Sequence, residues 1–192
     1  MNSFYSNEEL KKLGFMELGE DVQISRKASI YGASRIKIGN HVRIDDFCIL
    51  SGKIILGNYI HIAAYTAMFA GDVGIMLKDF CGISSRSAVY AVTDDYGGEY
   101  LTNPTVDDKY RGVFAKEVVM EKHALIGTGC TVLPGVILGE GCSVGAMSLV
   151  NKSLDPWSVY VGTPARKMKN RSKKLLEMEK QFLDEKKKTK GR

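Results

Sequence analysis

Aliphatic residues recur at every sixth position over most of this chain. The series are Leu18, Ile24, Ile30 and Ile36; Ile38, Ile44 and Leu50; Leu56, Ile62 and Met68; Leu77, Ile83 and Val89; and Met120, Ile126, Val132, Leu138, Val144 and Val150. The fifth place of each six-residue unit is usually small or branched, as at Val22, Val42, Thr66 and Ala124. A period of six fits neither an α-helix nor a simple alternating strand. The pattern indicates a repeat protein whose units bury their apolar surface against their neighbours.

Three short strands joined by tight turns fit this period, with three units making one triangular coil. The sequence therefore predicts an all-β solenoid, a parallel β-helix with a short N-terminal helix, one long loop excursion and a C-terminal helix. We assign residues 1–17 to an N-terminal capping segment, 18–167 to the β-helix and 168–192 to a C-terminal basic helix and tail. The excursion is placed at 90–117, where the repeat stops.

Each end of the solenoid carries its own helix signal. Residues 6–13 begin with Ser6 and place Glu9 three positions later, which is the pattern of a capping box. This helix would cover the first coil, whose edge otherwise exposes unpaired backbone groups. Near the other end, Leu175, Leu176, Glu179, Phe182 and Leu183 recur at helical spacing, so we expect an apolar stripe that packs on the solenoid or on a neighbouring subunit.

The four cysteines follow the same register. Cys48, Cys81, Cys130 and Cys142 all occupy the fifth place of a unit. A zinc site needs ligands clustered at short spacing, and these cysteines lack it. We interpret them as buried structural thiols, with neither a metal nor a disulfide.

Charge argues against a nucleic-acid partner. The chain has a net charge of +5, but residues 166–192 alone hold twelve basic and four acidic residues. A nucleic-acid binder should carry its positive charge on the folded body. No apolar run is long enough for a membrane span, and the first residues lack the pattern of a signal peptide, so the expectation is a cytoplasmic protein with no integral membrane segment.

Two segments carry a sharper resemblance. The unit at 138–143, the segment 144–152 and the later segment 162–166 closely resemble the hexapeptide-repeat acyltransferases. They are similar to the C-terminal part of galactoside, maltose and serine acetyltransferases, and of sugar acetyltransferases that modify surface polysaccharides. The resemblance implies a left-handed coil, a homotrimer, acetyl-CoA as co-substrate and no metal.

The resemblance also implies where the cofactor lies. In this family the pantetheine arm runs along a groove between coils of adjacent subunits, and basic residues after the last turn meet the nucleotide phosphates. The matching positions are Thr128, Gly145, Ala146 and Asn151 for the arm, and Arg166 and Lys169 for the phosphates. A backbone amide near Gly145 or Ala146 is expected to stabilise the thioester oxyanion.

The catalytic histidine of the galactoside and maltose enzymes has no counterpart here. Asp94 stands at the matching position, at the start of the excursion. Asp94 or Asp95 is one candidate for the general base, and His123, on the first coil after the excursion, is another. An amine acceptor would need little help, because its nitrogen can attack first and lose its proton afterwards.

Three further residues are candidates for binding the acceptor. They are His61, Asp72 and Tyr96. The leading hypothesis is transfer of acetyl from acetyl-CoA to a hydroxyl of a sugar, by direct attack and in surface-polysaccharide or lipopolysaccharide synthesis. The alternative is N-acetylation of a nucleotide-linked amino sugar, which the missing histidine favours. A non-catalytic β-helix scaffold is a second alternative.

Overall fold

The computed structural model describes residues 3–190 and the side chains of 3–188. The chain coils through three flat faces, and each face is built from short parallel strands stacked one coil above another. The coil is left-handed, as the family resemblance implies. The prediction of an all-β solenoid with one excursion and a helix at each end is confirmed.

The regular elements are brief apart from two long strands that turn a corner. The helices are α1 (Asn7–Lys12) and α2 (Leu175–Lys190), and single 3-10 turns span Ala33–Arg35 and Asp108–Tyr110. The strands are, in chain order, β1 (Glu17–Leu18), β2 (Gln23–Ile24), β3 (Ser29–Tyr31), β4 (Ile36–Ile38), β5 (Arg43–Ile44), β6 (Ile49–Leu56), β7 (His61–Ile62), β8 (Ala67–Leu77), β9 (Gly82–Ile83), β10 (Ala88–Tyr90), β11 (Val92–Asp94), β12 (Val113–Ala115), β13 (Val118–Met120), β14 (Leu125–Ile126), β15 (Thr131–Val132), β16 (Ile137–Leu138), β17 (Ser143–Val144), β18 (Leu149–Val150), β19 (Ser158–Val161) and β20 (Arg166–Asn170).

The strands sort into three faces by their pairing. Face 1 stacks β2, β5, β7, β9, β14, β17 and β19. Face 2 stacks β3, the first part of β6, the first part of β8, β10, β15 and β18. Face 3 stacks β1, β4, the second parts of β6 and β8, β13 and β16. Each coil is therefore held by backbone hydrogen bonds to the coils above and below it.

Three kinds of corner join the faces. The aromatic corner, from face 3 to face 1, has turn residues in the left-handed region at positions 41, 59, 80, 123 and 157. The open corner, from face 1 to face 2, has them at positions 47, 65, 86, 129 and 147. The loop corner, from face 2 to face 3, is irregular and gives rise to the excursion at 91–117, bounded by β10 and β13.

The aliphatic series of the sequence forms the core. All its members are buried except Leu18 and Ile30, which are partly buried and pack against the rest. The small fifth-place residues follow them inward, and all four cysteines are among them. Burial raises the pKa of the Cys81 and Cys142 thiols to about 12, so these thiols stay protonated and unreactive at neutral pH.

Both ends of the solenoid are covered. Ser6 and Glu9 form the expected capping box of α1, and Leu10 of this helix is buried against the first coil. At the other end the structure corrects the predicted helix start, because Arg166–Asn170 is a strand that pairs antiparallel with β19. The last coil offers unpaired N–H and C=O groups on face 1, and β20 satisfies them. None of the helices found within residues 3–190 is long and apolar enough to span a membrane.

Strand β2 offers a direct test of the inside–outside register, since Ile24 is fully buried and the neighbouring Gln23 is exposed. We expect Ile24→Ala to lower the free energy of unfolding by about 2–4 kcal/mol, from lost burial and a residual cavity. Gln23→Ala, the matched control, should change it by less than about 0.5 kcal/mol. Urea unfolding followed by circular dichroism measures both, and equal effects of the two substitutions would contradict this register.

Candidate active site

The candidate residues of the sequence lie at separate places on the coil. The loop corner holds Asp94, Asp95 and Tyr96 in the excursion, and Asp72 and Asn151 on other coils. The open corner holds Thr128, Gly145 and Ala146, and the strand β20 carries Arg166 and Lys169. Of the two histidines, His61 lies on face 1 and His123 lies at the aromatic corner. One chain therefore does not bring His123 together with Asp94. It does bring Thr128, Gly145 and Ala146 close to the turn that precedes Arg166, whereas Asn151 lies apart from them.

Asp94 is held at the base of the excursion. It ends β11, which pairs antiparallel with β12, and its backbone lies opposite Val113. The Oδ2 atom accepts a hydrogen bond from the N–H of Asn103 at 3.2 Å, and Oδ1 lies 3.6 Å from Nη2 of Arg111. With one third of its side chain exposed, the carboxylate is oriented by the loop and still open to an acceptor.

The carboxylate of Asp95 is occupied by the backbone of its own loop. Its two oxygens accept hydrogen bonds from the backbone N–H groups of Gly97, Glu99 and Tyr100, at 2.7, 2.8 and 3.0 Å. These backbone donors, Gly97 first and Tyr100 next, hold the pKa of Asp95 below its ordinary value. The carboxylate of Asp95 thus shapes the tip of the excursion.

The expected acceptor residues at the loop corner are solvent-exposed. Asp72 forms an ion pair of 2.7 Å with Arg35, although its side chain is 92% exposed. The neighbouring Gly71 packs under Val92, which places Asp72 just below the base of the excursion. Tyr96 is 93% exposed. Both residues are available to a ligand that approaches the excursion.

The open corner presents backbone groups rather than charges. The N–H of Gly145 donates to the carbonyl of Tyr160 at 2.8 Å, so it is already used. Among residues 3–190 the N–H of the exposed Ala146 donates to no protein group. The structure thereby favours Ala146 over Gly145 as a donor to an oxyanion, while the carbonyl of Thr128 accepts from Met147.

Ser84 lies at the same end of face 1, one coil below Gly127 and two below Gly145. Its backbone N–H donates to Ile126, and within the described part of the chain its hydroxyl has no hydrogen-bond partner. No sequence pattern distinguishes Ser84 from other serines of the repeat. It is the second residue of an ordinary unit, and only the stacking of coils shows its place beside the expected cofactor groove.

Two cations lie on β20, beside the last strand of face 1. Arg166 pairs with Val161, next to the open corner, and Lys169 pairs with Val159, nearer the other edge of the face. Arg166 and Lys169 are exposed on β20, and in the described structure neither forms a salt bridge. The turn that leads into β20 reaches the open corner, where the Thr163 hydroxyl donates to the carbonyl of Met147 at 3.2 Å. Free cations at this place suit the phosphates of a nucleotide cofactor.

His123 is enclosed by α2. Its ring stacks on Phe80 at 5.2 Å, lies 6.4 Å from Trp157, and is only 7% exposed. Nε2 lies 2.8 Å from Oε2 of Glu179. The other oxygen of this carboxylate, Oε1, accepts a hydrogen bond from Lys122. In this chain His123 anchors the C-terminal helix.

The aromatic corner explains why that helix docks there. His41, Tyr59 and Phe80 continue the stack below His123, at ring spacings of 4.7 and 4.8 Å. Phe182 of α2 meets the Tyr59 and Phe80 rings edge-on. The predicted apolar stripe of the helix therefore packs on its own solenoid through Phe182.

Two candidates remain apart from these groups. His61 points outward on face 1, and its Nε2 lies 2.7 Å from Asp45, which is also bound by Arg43. Asn151 is exposed just after β18, at the loop corner. In the part of the chain that the structure describes, no group of three or more His, Cys, Asp or Glu side chains could hold a metal ion.

Comparison with known proteins gives three results. The model of the bacterial transferase hexapeptide (six repeats) matches residues 117–152. A dTDP-4-amino-4,6-dideoxy-D-glucose acyltransferase from Escherichia coli is 45% identical over 177 residues, which cover 91% of this chain and 92% of that protein. The crystal structure of AntD, an N-acyltransferase from Bacillus cereus in complex with dTDP and 3-hydroxybutyryl-CoA, is 54% identical with a TM-score of 0.96, and the match covers 97% of this chain and 100% of that chain.

Further crystal structures of AntD carry the single substitutions S84A, S84C, S84T, D94A or D94N, each with coenzyme A and either dTDP or dTDP-4-amino-4,6-dideoxyglucose bound. The same two residue types stand at positions 84 and 94 of this chain. A hexapeptide-repeat-containing acetyltransferase from Vibrio cholerae, VCA0836, is 20% identical with a TM-score of 0.60, over 89% of this chain and 84% of that one, and shares the fold.

The docking of α2 should depend on pH through Glu179. Burial of this carboxyl opposes its ionisation, but hydrogen bonds from Lys122 and His123 outweigh it and hold the pKa of Glu179 below its ordinary value of about 4.5. A depressed pKa contributes stability above the unfolded value, and this contribution is lost as the pH falls through the folded value. Wild type should therefore melt at a higher temperature than Glu179→Gln at about pH 6, with a difference that shrinks toward about pH 3. A difference that grows as the pH falls would contradict this role.

Proposed function

This chain belongs to the hexapeptide-repeat acyltransferase family, and we propose that it transfers an acyl group from acyl-CoA to the amine of a nucleotide-linked amino sugar. The E. coli relative is named as an acyltransferase of dTDP-4-amino-4,6-dideoxy-D-glucose, and AntD as an N-acyltransferase. Both are more than two fifths identical to this chain over nearly all of its length. An N-acylated sugar nucleotide would then serve as a donor in surface-polysaccharide synthesis.

An amine acceptor replaces the sugar hydroxyl that the sequence alone favoured. A hydroxyl is a poor nucleophile until a base removes its proton, so a hydroxyl-directed enzyme needs a positioned base such as a histidine. His123 is buried under α2, and His61 is paired with Asp45 on face 1. An amine attacks with its own lone pair and needs only a proton acceptor afterwards. A carboxylate at position 94 is sufficient for that task.

The reaction is a direct displacement in a ternary complex. The amine nitrogen attacks the thioester carbon, the N–C bond forms, and the C–S bond breaks. The nitrogen loses one proton to the carboxylate of Asp94, and Asp94 passes that proton, directly or through water, to the departing sulfur, which leaves as the CoA thiol. The N–H of Ala146 is free to stabilise the oxyanion in between, and Arg166 and Lys169 are free to bind the cofactor phosphates.

The observation that carries the proposal is the setting of Asp94. Its carboxylate is oriented by two contacts from the excursion, stays one-third exposed, and stands where the family's histidine is missing. AntD variants altered at position 94 were solved with dTDP and coenzyme A bound, and this chain has the same residue type there. Asp95, in contrast, is occupied by its own loop.

We also propose that the site is shared between copies of the chain in a homotrimer. Ser84 precedes the face 2 strand β10 and Asp94 follows it, so the two residues lie at opposite edges of that face. Within one chain the width of that face therefore separates them. A closed threefold ring would bring the open corner of one copy to the loop corner of the next.

The acceptor is tested with two matched compounds, dTDP-4-amino-4,6-dideoxyglucose and dTDP-glucose, which carries a hydroxyl at the same carbon. We expect thiol release from acetyl-CoA or 3-hydroxybutyryl-CoA with the amine alone. Asp94→Asn should lower kcat/KM by about 10²-fold, because the proton acceptor is lost. Binding of CoA should be unchanged, since Asp94 is expected to meet the acceptor amine and is not among the residues expected to bind the cofactor.

Asp107→Asn is the control for this experiment. It removes an exposed carboxylate from the same excursion, at a side chain that forms no hydrogen bond or ion pair, within the described residues, with Asp94 or with its partners Asn103 and Arg111. We expect its kcat to stay within about twofold of wild type. Release with dTDP-glucose and none with the amine would overturn the proposed acceptor, and full activity of Asp94→Asn would remove Asp94 from the mechanism.

Mixing of two inactive variants tests the shared site. Ser84→Ala and Asp94→Asn should each have low activity alone. If the residues come from neighbouring copies, subunits unfolded and refolded together at equal ratio should regain about a quarter of wild-type activity, because about a quarter of the interfaces carry both native residues. Activity that stays at the level of the separate variants would place both residues in one copy.

A further inference from the structure

The excursion encloses an arginine beside the candidate catalytic aspartate. Arg111 lies just before β12, and only 18% of its side chain is exposed. Nη1 donates to Oδ1 of Asp108 at 3.0 Å, and the backbone N–H of Arg111 donates to the Asp108 carbonyl. Nη2 faces Oδ1 of Asp94 at 3.6 Å. The guanidinium thus connects the segment that precedes β12 to the carboxylate of Asp94 at the end of β11.

The hydrogen bonds of this arginine are incomplete. Its Nε is buried and has no partner among the described residues. A buried donor without a partner costs free energy, and a guanidinium is always charged. A neutral side chain of similar size would fill the same space in the loop and leave no buried donor unpaired. Stabilisation of the loop alone therefore does not explain why a charged guanidinium stands at this position.

The two carboxylates near Arg111 differ in their surroundings. Asp108 is 97% exposed, so solvent screens its pairing with Arg111 and the contact contributes little. Asp94 is two-thirds buried. Its Oδ2 is already bound by Asn103, so the position of its Oδ1 depends on the guanidinium alone among the contacts described.

We propose that Arg111 is a positioning residue for acyl transfer. It acts through Asp94, by holding Oδ1 at the orientation in which the carboxylate meets the amine of the acceptor. This inference rests on the proposed function. A planar guanidinium reaches Asp108 with one nitrogen and Asp94 with the other, a geometry that the single ammonium of lysine does not reproduce.

The test compares Arg111→Ala with Asp108→Asn in the full-length protein. A small displacement of a catalytic group can lower the rate by about 10²-fold, so we expect kcat of Arg111→Ala to fall by about 10- to 100-fold. The KM for acyl-CoA should stay the same, because neither Arg111 nor Asp94 is among the residues expected to bind the cofactor. Asp108→Asn, which removes the exposed partner only, should keep kcat within about twofold of wild type.

Chemical rescue separates positioning from a structural role. Guanidinium ion at millimolar concentration should restore part of the activity of Arg111→Ala by occupying the vacated space, whereas methylammonium should not. In the double variant Arg111→Ala/Asp94→Asn, guanidinium should restore nothing, because the group through which Arg111 acts is absent.

Two outcomes would decide against a positioning role for Arg111. Unchanged kcat in Arg111→Ala would overturn it. So would a loss that appears equally in the melting temperature and in the KM for acyl-CoA and does not respond to guanidinium, since that result assigns Arg111 to the structure of the loop. Wild type that transfers no acyl group to the amine would instead overturn the proposed function itself.

Discussion

The structure depends on backbone hydrogen bonds between coils. Many of its strands are only two residues long, and a pair of residues cannot form a stable strand by itself. Their N–H and C=O groups are satisfied by the coil above and the coil below, as in the column from Ile24 through Ile44 and Ile62 to Ile83. Every other feature of the fold follows from the need to keep successive coils in register at this spacing.

That need fixes where chemistry can be placed. Inside the coil each position is repeated by its neighbours above and below, which leaves room only for aliphatic and small residues. Variation is permitted at the corners and on the outer surface. The loop corner accommodates the whole excursion without disturbing the stack, because β13 resumes pairing with β8 directly after it. Asp94 is consequently carried by a segment that can be shaped without cost to the core.

The sequence was sufficient to predict the solenoid because the core signal is repeated about twenty times and each repetition is local. The excursion and the buried cysteines follow from the same register, and the α1 capping box follows from the spacing of Ser6 and Glu9; the structure confirms all three. The strand β20 was not foreseen, since the unpaired edge that it covers exists only once the last coil is formed. Glu179 was seen as part of a helical stripe, but its contact with His123 joins residues far apart in the chain.

The candidate site was predictable only in part for a similar reason. Asp94 was found because the family places a histidine there, and its neighbour Asp95 looks the same in sequence although its oxygens bind its own loop. Ser84 and Arg111 have no distinguishing pattern. Ser84 is brought beside the expected cofactor groove by the stacking of coils, and Arg111 is brought to Asp94 by a buried contact across the excursion.

Transfer of the acyl group to nitrogen, rather than to oxygen, can be measured directly at that nitrogen. The purified protein would be incubated with acyl-CoA and dTDP-4-amino-4,6-dideoxyglucose labelled with ¹⁵N at the amine, and the label followed by NMR spectroscopy. We expect the amine signal to be replaced by that of an amide carrying one hydrogen, at the rate at which CoA thiol is released. Release of thiol while the nitrogen remains an amine would contradict transfer to nitrogen.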